Sequence, residues 1–297
     1  MTSLIGNAPV DGVDVAALLG IPISAEQERA VQAPLKPCAV IAGAGTGKTT
    51  VMAARVVWLV ASRLVSPEEI LGLTFTNKAT AELSERIESN LTRVGLLTSE
   101  QPRPTVATYD SFAGTLVNDY GAWDGISTGA HLITGARAYQ LAAEVVMGLD
   151  KAPLAATHMG PTFIAQAVVK LAGAMASHDA SPGKVRRADA RWRQMLLAAP
   201  TKRGGDRYAD IDKWLSRVDE REELLDLVAA YQNLKKERGL VEFGDRMVQA
   251  LHLVTHHPRV GEELRARYRV VLLDEYHDTL SLIPLSEPTR RRGVADA

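Results

Sequence analysis

The chain has 297 residues, and 46% of them are hydrophobic, so it is long enough for one large or two modest cores. Its formal net charge of −1 gives no overall sign of a nucleic-acid or membrane partner. The single cysteine, Cys38, excludes a disulfide framework and indicates a reducing compartment, so we expect a cytoplasmic protein. The chain lacks a signal-peptide pattern, and no apolar run approaches about 18 residues, so we expect neither secretion nor a membrane partner.

Strand and helix patterns alternate in the first part of the chain. In chain order they predict a helix start at 24–31, a strand at 38–42, a helix to about 65, a strand at 70–75, a helix from 77 to about 93, a strand at 105–108, and then a further helix capped by Asp110. This alternation predicts an α/β fold with a parallel sheet.

A glycine-rich turn follows the first predicted strand. Residues 42–50 read AGAGTGKTT and lead into a helical pattern. Glycines let backbone N–H groups approach phosphate oxygens, and the helix dipole favours the anion. We therefore expect a nucleotide-binding loop in which Lys48 reaches the terminal phosphates and Thr49 holds magnesium. The residues predicted to bind the nucleotide here are Ala42, Gly43, Ala44, Gly45, Thr46, Gly47, Lys48, Thr49 and Thr50.

An acidic pair follows the apolar run Val270–Leu273. The run is continuous, as expected of a strand covered on both faces. At its end, Asp274 can bind magnesium through water, and Glu275 can take a proton from an attacking water. A solvated rim or a helix cap is the simpler interpretation of such a pair. The presence of the phosphate loop in the same chain favours the interpretation of this pair as catalytic.

Alanine- and leucine-rich helical patterns dominate residues 113–240. Because this block separates the phosphate loop from the acidic pair, we predict a helical subdomain inserted into a sheet domain. The sheet domain would comprise residues 1–112 and 241–280. Residues 281–297 contain prolines and consecutive arginines, and their apolar residues do not follow the spacing of a strand or a helix. This composition predicts a disordered tail.

Basic residues collect inside the helical block, between Lys184 and Arg207. Prolines and glycines punctuate 181–207, so we predict an exposed segment. Trp192 and Tyr208 lie among the charges, so both phosphate contact and base stacking are chemically feasible. An ordinary solvated charged face is an equally good interpretation.

Residues 74–80 read TFTNKAT and lie where a predicted strand passes into a helix. The hydroxyls and Lys78 suit backbone phosphates, while Phe75 suits stacking on a base. Taken alone, this segment would be interpreted more simply, with Asn77 as a helix cap and Phe75 as a core residue.

Together these motifs resemble the N-terminal part of the UvrD/Rep-type superfamily 1 DNA helicases. SAEQERAV at 24–31 resembles their glutamine motif, and AGAGTGKT at 42–49 resembles their first motif. TFTNKAT at 74–80 and TYDSF at 108–112 resemble motifs that contact single-stranded DNA in that family. LLDEYHDT at 272–279 resembles their acidic motif. Five motifs in the expected order are far more specific than any one of them.

The resemblance implies a RecA-like P-loop sheet flanked by helices, with an all-helical insert, in an ATP-dependent DNA helicase. ATP and Mg²⁺ are the implied cofactors, and single-stranded or duplex DNA is the implied partner. Gln27 would read the adenine edge, although Ser24 and Gln27 also fit a capping box and the two roles are compatible. Lys48 would bind the β and γ phosphates, Thr49 and Asp274 would serve Mg²⁺, and Glu275 would activate water. The residues implied to face single-stranded DNA are Phe75, Asn77, Lys78, Thr108 and Tyr109.

The chain also departs from this family. Asp110 stands where the family usually has His, and an ionised carboxylate would repel a DNA phosphate. His277 replaces the usual Gln, and its protonation varies near neutral pH. Family members continue into a second RecA-like domain whose arginines act on the γ-phosphate, an effect worth about 10³ to 10⁵ in rate in comparable reactions. We therefore expect weak ATP binding, little hydrolysis and no unwinding by this chain alone, unless a partner supplies that domain.

Three interpretations of the chain stay open at this point. The first is a helicase-family ATPase domain, which the five ordered motifs favour. The second is a module that binds ATP or single-stranded DNA without turnover. The third is a P-loop kinase or transferase, against which TFTNKAT and the long helical block argue.

Overall fold

A computed structural model describes residues 12–43, 45–127, 129–149, 159–202 and 205–276 of the chain. The described residues form two compact units, one from residues before 116 together with 254–276 and one from residues 116–253. The domain boundaries predicted from the sequence stay predictions. Ala44, His277 and the predicted tail at 281–297 lie outside the described residues.

Helices dominate the described chain, and five short strands accompany them. In chain order the elements are α1 (Val15–Leu19), α2 (Ala25–Val31), α3 (Lys48–Ala61), β1 (Ile70–Thr74), α4 (Asn77–Arg93), β2 (Thr105–Thr108), α5 (Tyr109–Tyr120), β3 (His131–Leu132), α6 (Gly135–Met147), α7 (Pro161–Ser177), α8 (Pro182–Leu197), α9 (Ala209–Glu237), β4 (Leu240–Val241), α10 (Phe243–His256), α11 (Pro258–Arg267) and β5 (Val270–Leu273). Among these helices none is long and apolar enough to cross a lipid bilayer.

The main sheet has the strand order β2-β1-β5, and both strand pairs are parallel. Thr74 at the end of β1 is in register with Thr108, and Leu73 is in register with Leu273. The segments that follow the three strands therefore leave the same edge of the sheet, which is where ligands bind in open α/β sheets. The predicted parallel sheet flanked by helices is confirmed.

The core of the sheet unit packs α3 and α4 against the strands. On α4 the fully buried residues Leu83, Ile87 and Leu91 recur every four positions, as expected of a helix with one apolar face. They belong to the same buried cluster as Leu59 of α3 and Ile70 of β1. Each such side chain stabilises the fold by roughly 1.5 to 3 kcal/mol relative to an exposed position. This packing fixes the starts of α3 and α4, which carry two of the predicted motifs.

The strand predicted at 38–42 is absent. Residues 37–43 have no helix or strand, Cys38 is exposed, and Ile41 is 98% exposed. Within the described residues β5 pairs with β1 alone, so Val271 and Leu273 are exposed, and the expectation of two covered faces is wrong. A short apolar run predicts a tendency to extend, but a strand forms only where a partner supplies its hydrogen bonds.

Arg55 of α3 anchors the chain that leads from α2 towards the phosphate loop. Its side chain is buried, and its guanidinium donates to the carbonyl oxygens of Val31 at 2.9 Å and Ala33 at 2.8 Å, among others. Burial lowers the pKa of Arg55 from its ordinary value. The charge is nevertheless stabilised, because several carbonyl dipoles converge on it.

Two helix caps differ from the predictions. α5 begins at Tyr109, and the Thr108 hydroxyl accepts a hydrogen bond from Ser111 N at 3.0 Å, so the cap is Thr108 and not Asp110. α4 is capped by Thr76, whose hydroxyl accepts from Ala79 N at 3.1 Å, so Asn77 is not the cap. In both cases the cap is the last extended residue, and its side chain reaches the amide three residues on.

The helical unit has its own core between α6, α7 and α9. Leu141, Val168, Leu225, Val228 and Tyr231 are fully buried in it. The short strands β3 and β4 pair in parallel at its side, with His131 opposite Leu240. A separate core of this kind is what allows the block to fold as a compact unit.

The basic stretch predicted as an exposed segment contains a helix, α8, which is capped by the Ser181 hydroxyl. Its ion pairs with α9 are Arg186–Glu222, Arg186–Asp226, Arg193–Asp219 and Asp189–Arg221. The charges of Arg186 and Arg193 are thus balanced inside the unit, by pairs that are largely solvent-accessible and individually weak, whereas the Asp189 carboxylate that pairs with Arg221 is buried. This arrangement favours the interpretation as a solvated charged face over a nucleic-acid contact.

A buried lysine joins α9 to the start of α10. Lys235 has a side chain that is 4% exposed, and its Nζ donates to Glu242 Oε2 at 2.6 Å and to Asp245 Oδ2 at 2.7 Å. The Tyr231 hydroxyl donates to the same Glu242 oxygen at 2.8 Å. One cation therefore bridges two carboxylates at this junction.

Replacement of Lys235 by methionine keeps the apolar stem but leaves both carboxylates without their cation. We expect the free energy of unfolding to fall by about 2 kcal/mol, somewhat less than for a fully buried pair, because the carboxylates keep some water. Urea unfolding followed by circular dichroism measures the change. The control is Lys236→Met at the exposed neighbouring position, which we expect to change stability by less than about 0.5 kcal/mol. Equal stabilities of the two variants would contradict the prediction.

Candidate nucleotide-binding site

The predicted phosphate loop is a tight turn that ends in the first turn of α3. Gly45 and Gly47 have φ values of 76° and 83°, in the left-handed region that favours glycine. The Thr46 hydroxyl donates to the Gly43 carbonyl oxygen at 2.8 Å and closes the turn. Lys48 is the first residue of α3, so the loop leads directly into a helix N-terminus, where anions are favoured.

Gln27 of α2 holds this loop from the side. Its Nε2 donates to the Thr46 carbonyl oxygen at 3.0 Å, while its Oε1 accepts from Ser24 N at 3.0 Å. Ser24 Oγ accepts in turn from Gln27 N at 3.2 Å, so the predicted capping box is confirmed. The role of Gln27 in reading adenine stays a prediction. Its amide has a second N–H and a second oxygen lone pair, so these two bonds are compatible with that role.

The acidic pair comes close to the phosphate loop although the two are far apart in the sequence. Lys48 Nζ lies 3.7 Å from Glu275 Oε1. The Asp274 amide donates to the Leu73 carbonyl oxygen at 2.8 Å, which continues the β1–β5 ladder one residue beyond the strand. The sheet register thus positions the carboxylates beside the start of α3.

Asp274 is buried, with 8% of the residue exposed. Burial raises the pKa of its carboxyl, and the neighbouring charge of Glu275 raises the pKa further. The amide of Glu275 and the charge of Lys48 act in the opposite direction. A buried carboxylate with a raised pKa beside a second carboxylate is a place where an added cation is stabilising.

The backbone of Glu275 is unusual, because its φ of 48° lies in the left-handed region. A residue with a Cβ adopts this conformation only where its surroundings hold it. The Glu275 amide donates to Asp274 Oδ1 at 3.1 Å. This conformation accompanies the approach of the Glu275 carboxylate to Lys48.

Two of the predicted DNA-facing residues have partners inside the sheet unit. The Tyr109 hydroxyl donates to the Asp274 carbonyl oxygen at 3.2 Å, and the Thr108 hydroxyl donates to Ser111 Oγ at 2.8 Å. Burial and then the charges of Asp274 and Tyr276 raise the pKa of Tyr109 to about 12. The structure therefore directs both hydroxyls inward.

The other three predicted DNA-facing residues are exposed. Phe75 is 57% exposed, so it is not the core residue of the simpler interpretation. Asn77 and Lys78 are exposed in the first turn of α4, and Lys78 Nζ lies 3.8 Å from Glu82 Oε1. An exposed aromatic ring next to an amide and an ammonium group can contact a base and a phosphate together.

Arg86 is a residue near the loop that the sequence analysis missed. Its guanidinium donates to Thr50 Oγ1 at 2.7 Å, so α4 is bonded to the first turn of α3. Arg86 lies on the exposed side of α4, where helical periodicity predicts only a solvated charge. The sequence around Arg86 does not predict a hydrogen-bond partner 36 positions away.

Magnesium would depend on few protein ligands here. Within the described residues, no group of three or more His, Cys, Asp or Glu side chains could hold a metal ion. A site made of the Thr49 hydroxyl and the Asp274 carboxylate suits Mg²⁺, which keeps water and phosphate oxygens as its remaining ligands. The residues present therefore fit the ion that the motifs imply.

Most of the chain matches one known protein family. The model of the UvrD/REP helicase N-terminal domain matches residues 23–282. The chain belongs to this family. The match covers all five motifs of this UvrD/REP chain, at residues 24–31, 42–49, 74–80, 108–112 and 272–279.

Individual relatives agree with the family assignment. A probable DNA helicase II homolog of Rickettsia felis is 25% identical over 86% of the chain and 33% of the relative. The ATP-dependent DNA helicase UvrD1 of Mycobacterium leprae is 26% identical over 86% of the chain and 28% of the relative. DNA helicase II of Haemophilus influenzae is 28% identical over 90% of the chain and 32% of the relative. The chain thus spans about a third of the length of the curated relatives it matches.

The raised pKa of Asp274 leads to a stability prediction. Its carboxyl has a higher pKa in the folded than in the unfolded chain, so ionisation costs stability, and the full cost is present above the folded pKa. We expect Asp274→Asn to raise the Tm of the ligand-free protein at pH 7.5, since Asn keeps the oxygen that accepts from Glu275 N. The gain should shrink as the pH falls towards about 4, the ordinary range of Asp.

Thermal melts at several pH values measure this effect. Asp119→Asn, at an exposed position of α5, is the matched control and should leave the Tm nearly unchanged. A lower Tm for Asp274→Asn than for the parent at pH 7.5 would show that the ionised carboxylate stabilises the ligand-free fold.

Proposed function

We propose that this UvrD/REP chain binds ATP with Mg²⁺ at the phosphate loop and forms the ATP-binding part of an ATP-dependent DNA helicase. The observation that supports this most strongly is the 3.7 Å approach of Lys48 Nζ to Glu275 Oε1. The candidate phosphate-binding lysine and the candidate base thus lie close together, although they are far apart in the sequence. A helicase that moves along DNA would work in the cytoplasm of a bacterial cell such as those of its relatives.

The chemistry follows from the partners of each side chain. Lys48, released from Glu275 by a phosphate group, would bind the β and γ phosphates as a point charge. The Glu275 carboxylate would then be available to accept a proton from the attacking water. Mg²⁺ bound at Thr49 and Asp274 would neutralise charge on the phosphate oxygens.

Single-stranded DNA is the proposed second ligand, at the carboxyl edge of β1. Phe75 is the proposed stacking residue, and Asn77 and Lys78 are the proposed phosphate contacts. The exposed Lys78–Glu82 pair is weak and can be exchanged for a phosphate at little cost. Thr108 and Tyr109 belong to the same edge, but their hydroxyls have partners within the sheet unit, so we propose that these hydroxyls support the backbone of the edge and do not contact DNA.

A second candidate function is a module that binds ATP or single-stranded DNA without turnover. The ion pair itself favours it for the ligand-free chain, because Lys48 and Glu275 must separate before either can act on ATP or on a water molecule. The proportion of bound ATP that is hydrolysed distinguishes the two candidates.

Substitution of Lys48 tests the nucleotide site. We expect Lys48→Ala to weaken binding of a fluorescent ATP analogue by roughly 10- to 100-fold, the range for a hydrogen-bonded charge. Glu275→Gln should bind the analogue as tightly as the parent or more tightly, but should lower ATP turnover. Lys36→Ala, at an exposed lysine outside the loop, is the control. Unchanged binding by Lys48→Ala would remove the proposed ATP site.

Substitution of Phe75 tests the DNA contact. We expect Phe75→Ala to weaken binding of a fluorescent oligothymidine by roughly 5- to 100-fold, since one base–aromatic stack contributes about 1 to 3 kcal/mol. Phe163→Ala changes an equally exposed phenylalanine of the helical unit and is the matched control. Fluorescence anisotropy at fixed salt measures both. If the two variants bind alike, Phe75 does not stack on DNA.

A further inference from the structure

The peptide that joins Asp274 to Glu275 is hydrogen-bonded on both sides. Its carbonyl oxygen accepts from the Tyr109 hydroxyl at 3.2 Å, and its N–H donates to Asp274 Oδ1 at 3.1 Å. Rotation of this peptide plane would break both bonds. The orientation of the plane also sets where the Glu275 side chain leaves the backbone.

Glu275 needs such support, because its φ of 48° is unfavourable for a residue with a Cβ. The bond that the Glu275 amide donates to the Asp274 carboxylate is local, so it cannot by itself fix the position of this turn relative to the sheet. The bond from Tyr109 comes from the neighbouring part of the fold, 165 positions earlier in the chain. It ties the turn to the β2–α5 junction.

The Tyr109 ring is itself held in place. It packs against a small cluster formed by Leu71, Leu73 and Tyr268, together with Phe112. A ring held by packing presents its hydroxyl from a fixed position. A tyrosine hydroxyl keeps its proton near neutral pH and is therefore a donor.

We propose that Tyr109 is a positioning residue for the acidic motif, and that its hydroxyl holds the Asp274–Glu275 peptide in the orientation that directs Glu275 towards Lys48. The functional consequence rests on the proposed ATP site, because Asp274 and Glu275 are its candidate metal ligand and base. The structural part of the proposal stands independently of that function. It also differs from the role that the resemblance implies for Tyr109, which is contact with DNA.

Loss of the hydroxyl alone should have a local effect. Tyr109→Phe keeps the ring and its packing, so the sheet unit should remain folded. Without the bond, the peptide can rotate and Glu275 can leave the left-handed conformation. The Asp274 carboxylate, which accepts from the same peptide, would lose its fixed orientation. We therefore expect the part of nucleotide binding that depends on Mg²⁺ to weaken, while the part that depends on the phosphate loop persists.

Hydrogen exchange in the ligand-free protein tests the structural part. We expect exchange in a peptide covering 270–276 to be about tenfold faster in Tyr109→Phe, the contribution of one neutral hydrogen bond. Other segments should be unchanged. Tyr208→Phe removes an exposed hydroxyl from the helical unit and should leave 270–276 unaffected. Equal exchange at 270–276 in the parent and Tyr109→Phe would overturn the proposal, as would a uniform increase across the whole sheet unit.

Binding of a fluorescent ATP analogue with and without Mg²⁺ tests the functional part. Without Mg²⁺, the affinity of Tyr109→Phe for the analogue should be within twofold of that of the parent. The increase in affinity that Mg²⁺ causes should be about tenfold smaller in Tyr109→Phe than in the parent. Its affinity for oligothymidine should stay within twofold. An unchanged Mg²⁺ effect, or weaker DNA binding, would overturn the positioning role. If the parent binds no nucleotide, the proposed function fails, and hydrogen exchange still decides whether Tyr109 holds the peptide.

Discussion

The shared carboxyl edge of the parallel sheet is the constraint on which the candidate site depends. β1, β2 and β5 run in the same direction, and their paired register brings the residues after each strand side by side. Phe75, Tyr109 and Asp274 therefore meet at one edge, although they come from three separate parts of the chain. A shift of β5 by one residue would turn the acidic pair to the other face of the sheet. The α3 and α4 core stabilises this arrangement by burying the helices that begin at the same edge.

The residues at this edge are individually unfavourable in the ligand-free chain. Asp274 is a buried carboxylate with a raised pKa, Glu275 has a left-handed backbone, and Phe75 exposes an aromatic ring to water. Unfavourable features of this kind concentrate at functional sites, where a ligand relieves them. A cation near Asp274 would relieve the first of these features, and a base on Phe75 would relieve the third. Tyr109 and Gln27, by contrast, have satisfied hydroxyl or amide groups and hold the backbone of the site.

The helical unit shows how tertiary contacts change the meaning of a charged stretch. Its basic segment appears in the sequence as a candidate polyanion surface, but α8 and α9 bring acidic side chains opposite Arg186 and Arg193. The partners of Arg186 are 36 and 40 positions away, so no local pattern predicts them. A buried cation, Lys235, joins the end of the long helix to α10 in the same way.

Sequence alone determined the elements whose causes are local. The capping box of Ser24 and Gln27, the glycine turn before Lys48, the helix α4 and the strand β5 depend mainly on neighbours within a few residues, and all are found in the structure. Only the tertiary structure decided which distant groups meet. In the folded chain Glu275 lies beside Lys48, and the Tyr109 hydroxyl donates to the Asp274 carbonyl oxygen. Arg86 donates to Thr50, and residues 38–42 have no strand partner. Hydrogen bonds between remote residues depend on how helices and strands pack against one another. A local pattern of residue types does not predict that packing.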